Sequence, residues 1–175
     1  MEDAGFNFEI VTADIDEEKI RTNDYKQLPL LIARGKMEAV KKKVSGGAII
    51  LCADTVVVCD GELREKPKSD DQMREWLKSY EKYPVTVYSS VVAENTHTGM
   101  VRETIETAVI TWKSIPNDII EDLVADEYIH GGSGGFVFDD PRIRPYAKLI
   151  EGNSGVIMGL SIETAKKYIK ELSEE

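Results

Sequence analysis

Asp54 is the only charged residue in the apolar run 48–58, Ala-Ile-Ile-Leu-Cys-Ala-Asp-Thr-Val-Val-Val. An ionised carboxylate without a partner in a sheet interior costs several kcal/mol. It must pair with a cation, bind a metal, or face a cleft at a strand end. Carboxylates perturbed in this way cluster at functional sites. The bland alternative is an Asp satisfied by backbone N–H groups or by a lysine. Two lysines are available as partners. Lys36 sits in the apolar stripe of a helical segment, four residues after Ile32 and four before Val40. Lys66 lies in Arg64-Glu65-Lys66-Pro67, where the proline restricts the local backbone and presents the lysine. Asp14, Asp16 and Glu17 supply hard oxygens of the kind Mg²⁺ prefers, one or two alongside phosphate oxygens and water. Such a run in a loop reads equally as solvated surface.

Other chemistries find no support. His97 and His130 lack ligand spacing, so no zinc site is expected. There is no Gly-x-Ser-x-Gly elbow and no sign of a serine or cysteine nucleophile. Gly131-Gly132-Ser133-Gly134-Gly135 matches neither the dinucleotide fingerprint nor the Gly-Lys-Ser/Thr phosphate loop. It reads as a conformational requirement more than a phosphate cradle. Cys52 and Cys59 are separated by an odd number of positions, which sets them on opposite strand faces as reduced thiols.

The elements that position these residues alternate between helix and strand. Residues 6–11 alternate apolar and polar, which predicts a half-buried strand. Residues 28–43 predict a helix with Leu28, Leu31, Ile32, Ala39 and Val40 on its apolar face. Lys41-Lys42-Lys43 suits its C-terminal dipole end. Residues 48–58 read as a central strand buried on both faces. Asp60-Gly61 turns it into a hairpin with residues 62–64. Ser69 to Gln72 opens a capped helix carrying Met73, Trp76, Leu77 and Tyr80 to the core. Strands are expected at 85–92 and 100–112, and a helix from Pro116 to about Asp126 with Ile120, Leu123 and Val124 inward. Apolar segments 136–138, 148–150 and 156–158 follow. Ser161 caps a last helix with Ile162, Ala165, Ile169 and Leu172 on one face. Together these predict one mixed α/β domain, of a size that 175 residues allow.

Composition limits the partners. The net charge of −10 argues against general nucleic-acid or anionic-membrane binding, which needs Lys and Arg. No apolar run approaches the ~20 residues of a membrane-spanning helix. The start of the chain lacks a basic n-region and apolar h-region. The cytoplasm is therefore the expected compartment, and a nucleotide remains an admissible ligand.

The order and spacing of the motifs resemble the Maf family of nucleoside triphosphate pyrophosphatases. The resemblance runs from Ala4 to about Lys170. It is carried by Gly5-Phe6-Asn7-Phe8-Glu9-Ile10, the acidic Asp14-Ile15-Asp16-Glu17, and the lysine helix around Ala33-Arg34-Gly35-Lys36. Cys52-Ala53-Asp54-Thr55-Val56-Val57, Glu65-Lys66-Pro67 and Val156-Ile157-Met158-Gly159-Leu160 complete it. Residues 64–67 and 133–136 look most like plant and protist members.

The resemblance implies an inosine triphosphatase-like mixed-sheet α/β fold with two lobes and a central cleft, often dimeric. It implies hydrolysis of an NTP to NMP and pyrophosphate with Mg²⁺ or Mn²⁺. UTP, dTTP and modified pyrimidine triphosphates are its first substrates. Asp54 would be the proton acceptor or act through a metal-bound water, and Asp16 would join it at the metal. Lys36 and Lys66 would grip the triphosphate, with Glu17 among the substrate-binding residues. Thr55 and Asp139 fall where base selection is expected, although Asp139 stands where many bacterial members carry Gln. Ser161 replaces a late Pro. The family's first strand and Ser-x-Ser-Pro-Arg-Arg phosphate loop are not in this sequence, so the chain is expected to be less stable than one extended at its N-terminus. The competing reading is a non-catalytic nucleotide-binding or regulatory protein of the same fold. An inosine triphosphatase proper fits less well, because the Ala-Asp-Thr-Val-Val strand and the Lys-Pro motif are Maf features.

Overall fold

The computed structural model describes residues 5–174. The expectation drawn from the start of the chain falls mainly on residues 1–4, outside the described residues. Five strands form one antiparallel sheet in the order β2-β1-β3-β4-β5. They are β1 (Ile49–Cys59), β2 (Glu62–Leu63), β3 (Val85–Asn95), β4 (Met100–Trp112) and β5 (Ala147–Glu151). Among the described residues six α-helices accompany them: α1 (Leu28–Lys41), α2 (Asp70–Ser79), α3 (Asn117–Val124), α4 (Glu127–His130), α5 (Ser154–Ile157) and α6 (Ile162–Ser173). The result is the mixed α/β architecture expected from the sequence.

The chain divides into two compact units. The first holds residues 1–54, 89–105 and 159–175, and the second holds 55–88 and 106–158.

In the first unit, strand parity sorts the helices. Ile50 and Cys52 point to one face of β1 and pack, with Val92 of β3, against Leu30, Ala33, Met37 and Val40 of α1. Ile49 and Leu51 point to the other face, toward a cluster of Val91 and Ala93 with Tyr168 and Leu172 of α6. Each large apolar side chain buried this way contributes about 1.5–3 kcal/mol. Ser161 caps α6, its hydroxyl accepting from Thr164 N–H at 3.4 Å.

The second unit has one core. Met73, Trp76, Leu77 and Tyr80 of the α2 segment meet Ile120, Leu123 and Val124 of α3, as their spacing predicts. Ser69 caps α2 by accepting from Gln72 N–H at 3.2 Å. At the centre the rings of Tyr80, Trp112 and Phe136 lie 5.2–5.7 Å apart, one pair stacked and two edge-on. Asp60 and Gly61 both take positive φ, 52° and 74°, and close the β1–β2 hairpin.

Four expectations need correcting. Residues 6–11 are not a strand. Alternation lays out a face, but a strand also needs a neighbouring backbone. Here the segment borders, with residues 48–52, a hollow of about 740 Å³, and Ile10 is 87% exposed. Second, β1 is not central. Its outer neighbour β2 pairs only with Val58 and Cys59, and β3 holds the middle of the sheet. Third, the buried face of α1 is rotated from the expected stripe. Leu31 is 37% exposed, while Ala33 and Met37 are buried. Pro29 occupies the first turn, so periodicity counted from Leu28 begins where the helix is only starting. Fourth, the lysines at the end of α1 do more than face its dipole. Lys41 reaches the buried Glu94 at 2.7 Å, and Lys43 pairs with Asp14.

Candidate active site

Asp54 shares the strand face of Ile50 and Cys52, the face that α1 covers. That parity brings it to Lys36. The Lys36 ammonium donates to Asp54 Oδ1 at 2.8 Å and meets Glu17 Oε1 at 3.0 Å. The Asp54 side chain is only 10% exposed and that of Lys36 21%. Burial works against the charged amine, but the hydrogen bonds and charges of Asp54 and Glu17 outweigh it, and the Lys36 pKa is raised. The lysine that interrupts an apolar helix face therefore has a partner inside the fold. Met37 and Val40 of the same helix pack into the core.

Glu17 opens a short 3₁₀ turn, Glu17–Lys19. Asp16 precedes this turn and pairs with Lys19 at 2.9 Å, its side chain 53% exposed. Asp14 takes positive φ, 51°, and faces Lys43. The acidic loop thus sends one carboxylate, Glu17, to the Lys36 cation, and the other two to surface lysines. Among the described residues no group of three His, Cys, Asp or Glu side chains converges as a protein-only metal cage. Asp54 and Glu17 still meet on one cation. One or two carboxylates suit Mg²⁺ when phosphates and water supply its other ligands. The donor set fits such an ion.

The remaining predicted residues belong to the second unit. Thr55 directly follows Asp54 and points to the opposite strand face. Lys66 is exposed, and among the described residues it has no ion-pair partner. Its neighbours are fixed: Arg64 and Pro67 are both buried. Asp139 is exposed at a turn, beside an Asp140 locked by Arg142 Nε and Nη2 at 2.9 and 2.7 Å.

The glycine run is a packing device. Gly134 has φ 77°, and a Cβ there would stand 2.9 Å from Phe136 and 3.0 Å from Val57.

The Maf-like protein family profile matches residues 1–172. The chain belongs to the Maf family. A 7-methyl-GTP pyrophosphatase of Dictyostelium discoideum is 34% identical, covering 98% of this chain and 90% of the relative. A 7-methyl-GTP pyrophosphatase of Idiomarina loihiensis is 28% identical over 88% of this chain and 78% of its own length. A dTTP/UTP pyrophosphatase of Geobacter sp. is 29% identical over 93% and 83%. Within this Maf chain the sequence reasoning left two features unassigned, the buried Arg64 and the Lys41–Glu94 pair. Glu94 carries the same signal as Asp54, a lone acid ending an apolar run, Val91-Val92-Ala93.

Proposed function

We propose that this Maf chain is a nucleoside triphosphate pyrophosphatase, releasing NMP and pyrophosphate with a divalent cation. The observation that carries the reading is the half-buried Lys36–Asp54 pair with Glu17 on the same ammonium. Relatives named as nucleotide pyrophosphatases support it.

In this reading Asp54 accepts the proton of the attacking water. Lys36 spends two hydrogen bonds on Asp54 and Glu17 and keeps a further N–H for a phosphate oxygen. It thereby offsets charge that grows as pyrophosphate leaves. Lys66 binds phosphate oxygens, and Thr55 and Asp139 contact the base. Asp54, with Asp16 or Glu17, would hold Mg²⁺ or Mn²⁺. When bound, that ion supplies Lewis-acid neutralisation of the phosphates.

Relatives named for both 7-methyl-GTP and dTTP/UTP make these the substrates to compare. The test is pyrophosphate release from 7-methyl-GTP, dTTP, UTP and modified pyrimidine triphosphates with Mg²⁺, with Lys66→Ala alongside. Release of pyrophosphate with a raised KM in Lys66→Ala supports the reading. Tight nucleotide binding without release would favour the non-catalytic alternative.

A further inference from the structure

Lys66 has a long, flexible stem, and its usefulness as a phosphate ligand depends on how firmly its backbone is held. A fixed cation loses less freedom on binding than a mobile one. The structure devotes several contacts to that purpose, all within the second unit.

Arg64 is 5% exposed, an unusual burial for a guanidinium. Its Nη1 donates to Ser79 Oγ at 2.8 Å and to the Trp76 carbonyl at 3.4 Å. Its carbon centre lies 5.0 Å from the Tyr80 ring centroid and 5.5 Å from that of Trp76. Both rings therefore attract the charge. Arg64 N–H also donates to the Val57 carbonyl at 2.8 Å, which ends the hairpin. Two residues later Lys66 is exposed, and Pro67 is buried again.

The glycine run supplies the other half of the brace. Gly134 N–H donates to the Glu65 carbonyl at 2.9 Å, gripping the peptide unit that leads into Lys66. Tyr80 OH donates to the Gly134 carbonyl at 2.5 Å. Burial raises the Tyr80 pKa well above its ordinary value, so the phenol stays a donor. A Cβ on Gly135 would stand 3.1 Å from Met73 Cγ and 3.7 Å from Pro67 Cγ. Tyr80 joins the two halves, with its ring beside Arg64 and its hydroxyl on Gly134.

We infer that Arg64 is a positioning residue for Lys66, acting through the Tyr80–Gly134–Glu65 brace to hold the lysine ready for phosphate. The inference rests on Lys66 being a phosphate ligand. Arg64 acts through this brace and not on the phosphate directly, because its guanidinium is already engaged by Glu62, Ser79, Trp76 and Tyr80.

The experiment is a double-mutant cycle read as the Kd for pyrophosphate and the KM for the best triphosphate, with the thermal midpoint recorded for each variant. Lys66→Ala should raise both constants about tenfold, as expected for losing one charged contact. Arg64→Met should raise them about three- to tenfold with little change in kcat, in keeping with an indirect effect through one contact. In the Lys66→Ala background Arg64→Met should add nothing. If Arg64→Met fails to fold, Tyr80→Phe carries the same cycle, since it keeps the ring and removes the hydroxyl that bonds Gly134. An equal rise with and without Lys66, or no rise in the folded single variant, overturns the inference. If Lys66→Ala alone changes neither constant, the role of Lys66 as a phosphate ligand fails and the inference falls with it.

Discussion

The Lys36 ammonium stands 2.8 Å from Asp54 Oδ1, on the one face of β1 that α1 covers. A helix lysine and a strand carboxylate thus answer each other inside a core of Met37, Val40, Ile50 and Cys52. The pair is both a structural contact and the centre of the proposed chemistry, and these roles separate by mutation. Lys36→Met leaves a nearly buried carboxylate without its cation. It should cost about 2 kcal/mol of stability, below the figure for a fully buried pair because Lys36 keeps some water contact. Lys36→Met with Asp54→Asn should recover much of that loss in urea unfolding, while pyrophosphate release stays abolished.

The corrected face of α1 makes a second test. Met37→Ala should cost about 2–4 kcal/mol, the usual range for emptying a packed methionine site. Leu31→Lys should stay within about 0.5 kcal/mol of the native chain, as surface substitutions do. Urea midpoints of the two variants decide between the observed face and the stripe expected from periodicity.

Gly134→Ala adds a side chain at φ 77° and drives its Cβ against Phe136 and Val57. It should destabilise by about 2–4 kcal/mol, combining backbone strain with overpacking. Gly99 has a similar φ of 74° but nothing within 4 Å of its Cβ position. Gly99→Ala should cost only about 1 kcal/mol, the conformational part. Equal losses in thermal unfolding would contradict the packing role of the glycine run.

Hydrogen bonds from Arg142 hold Asp140 and Asp126 below the usual carboxylate range, against the opposing effect of burial. Their folded pKa values are depressed. The stabilisation is therefore fully present above the unfolded carboxylate value and is lost as pH falls through the folded values. The urea midpoint of the native protein should drop more steeply below about pH 4 than that of Arg142→Gln. Parallel curves would show that the clamp adds no pH-dependent stability.

The residues that break a pattern were the most legible in the sequence. A lone acid in an apolar strand and a lysine in an apolar helix face each signal a partner, and Asp54 and Lys36 are paired. Caps and turns were legible for local reasons, as Ser69, Ser161 and Asp60-Gly61 illustrate. Pairing partners were not. Residues 6–11 have the alternation of a strand but form none among the described residues, and β1 has the composition of a central strand but an outer neighbour of only two residues. Both outcomes depend on contacts between distant segments, which periodicity does not encode. Arg64 was illegible for a related reason. Its aromatic partners Trp76 and Tyr80 lie a helix away, and an Arg after a hairpin ordinarily stays in solvent.

The most direct test of the central claim is hydrolysis of the preferred triphosphate in ¹⁸O-labelled water, comparing the native chain with Asp54→Asn. Attack at the α-phosphorus places the label in the NMP, and Asp54→Asn should lower the rate at least about a hundredfold, the scale of losing a general base. Label in the pyrophosphate, or an Asp54→Asn enzyme that turns over at the native rate, would contradict the account.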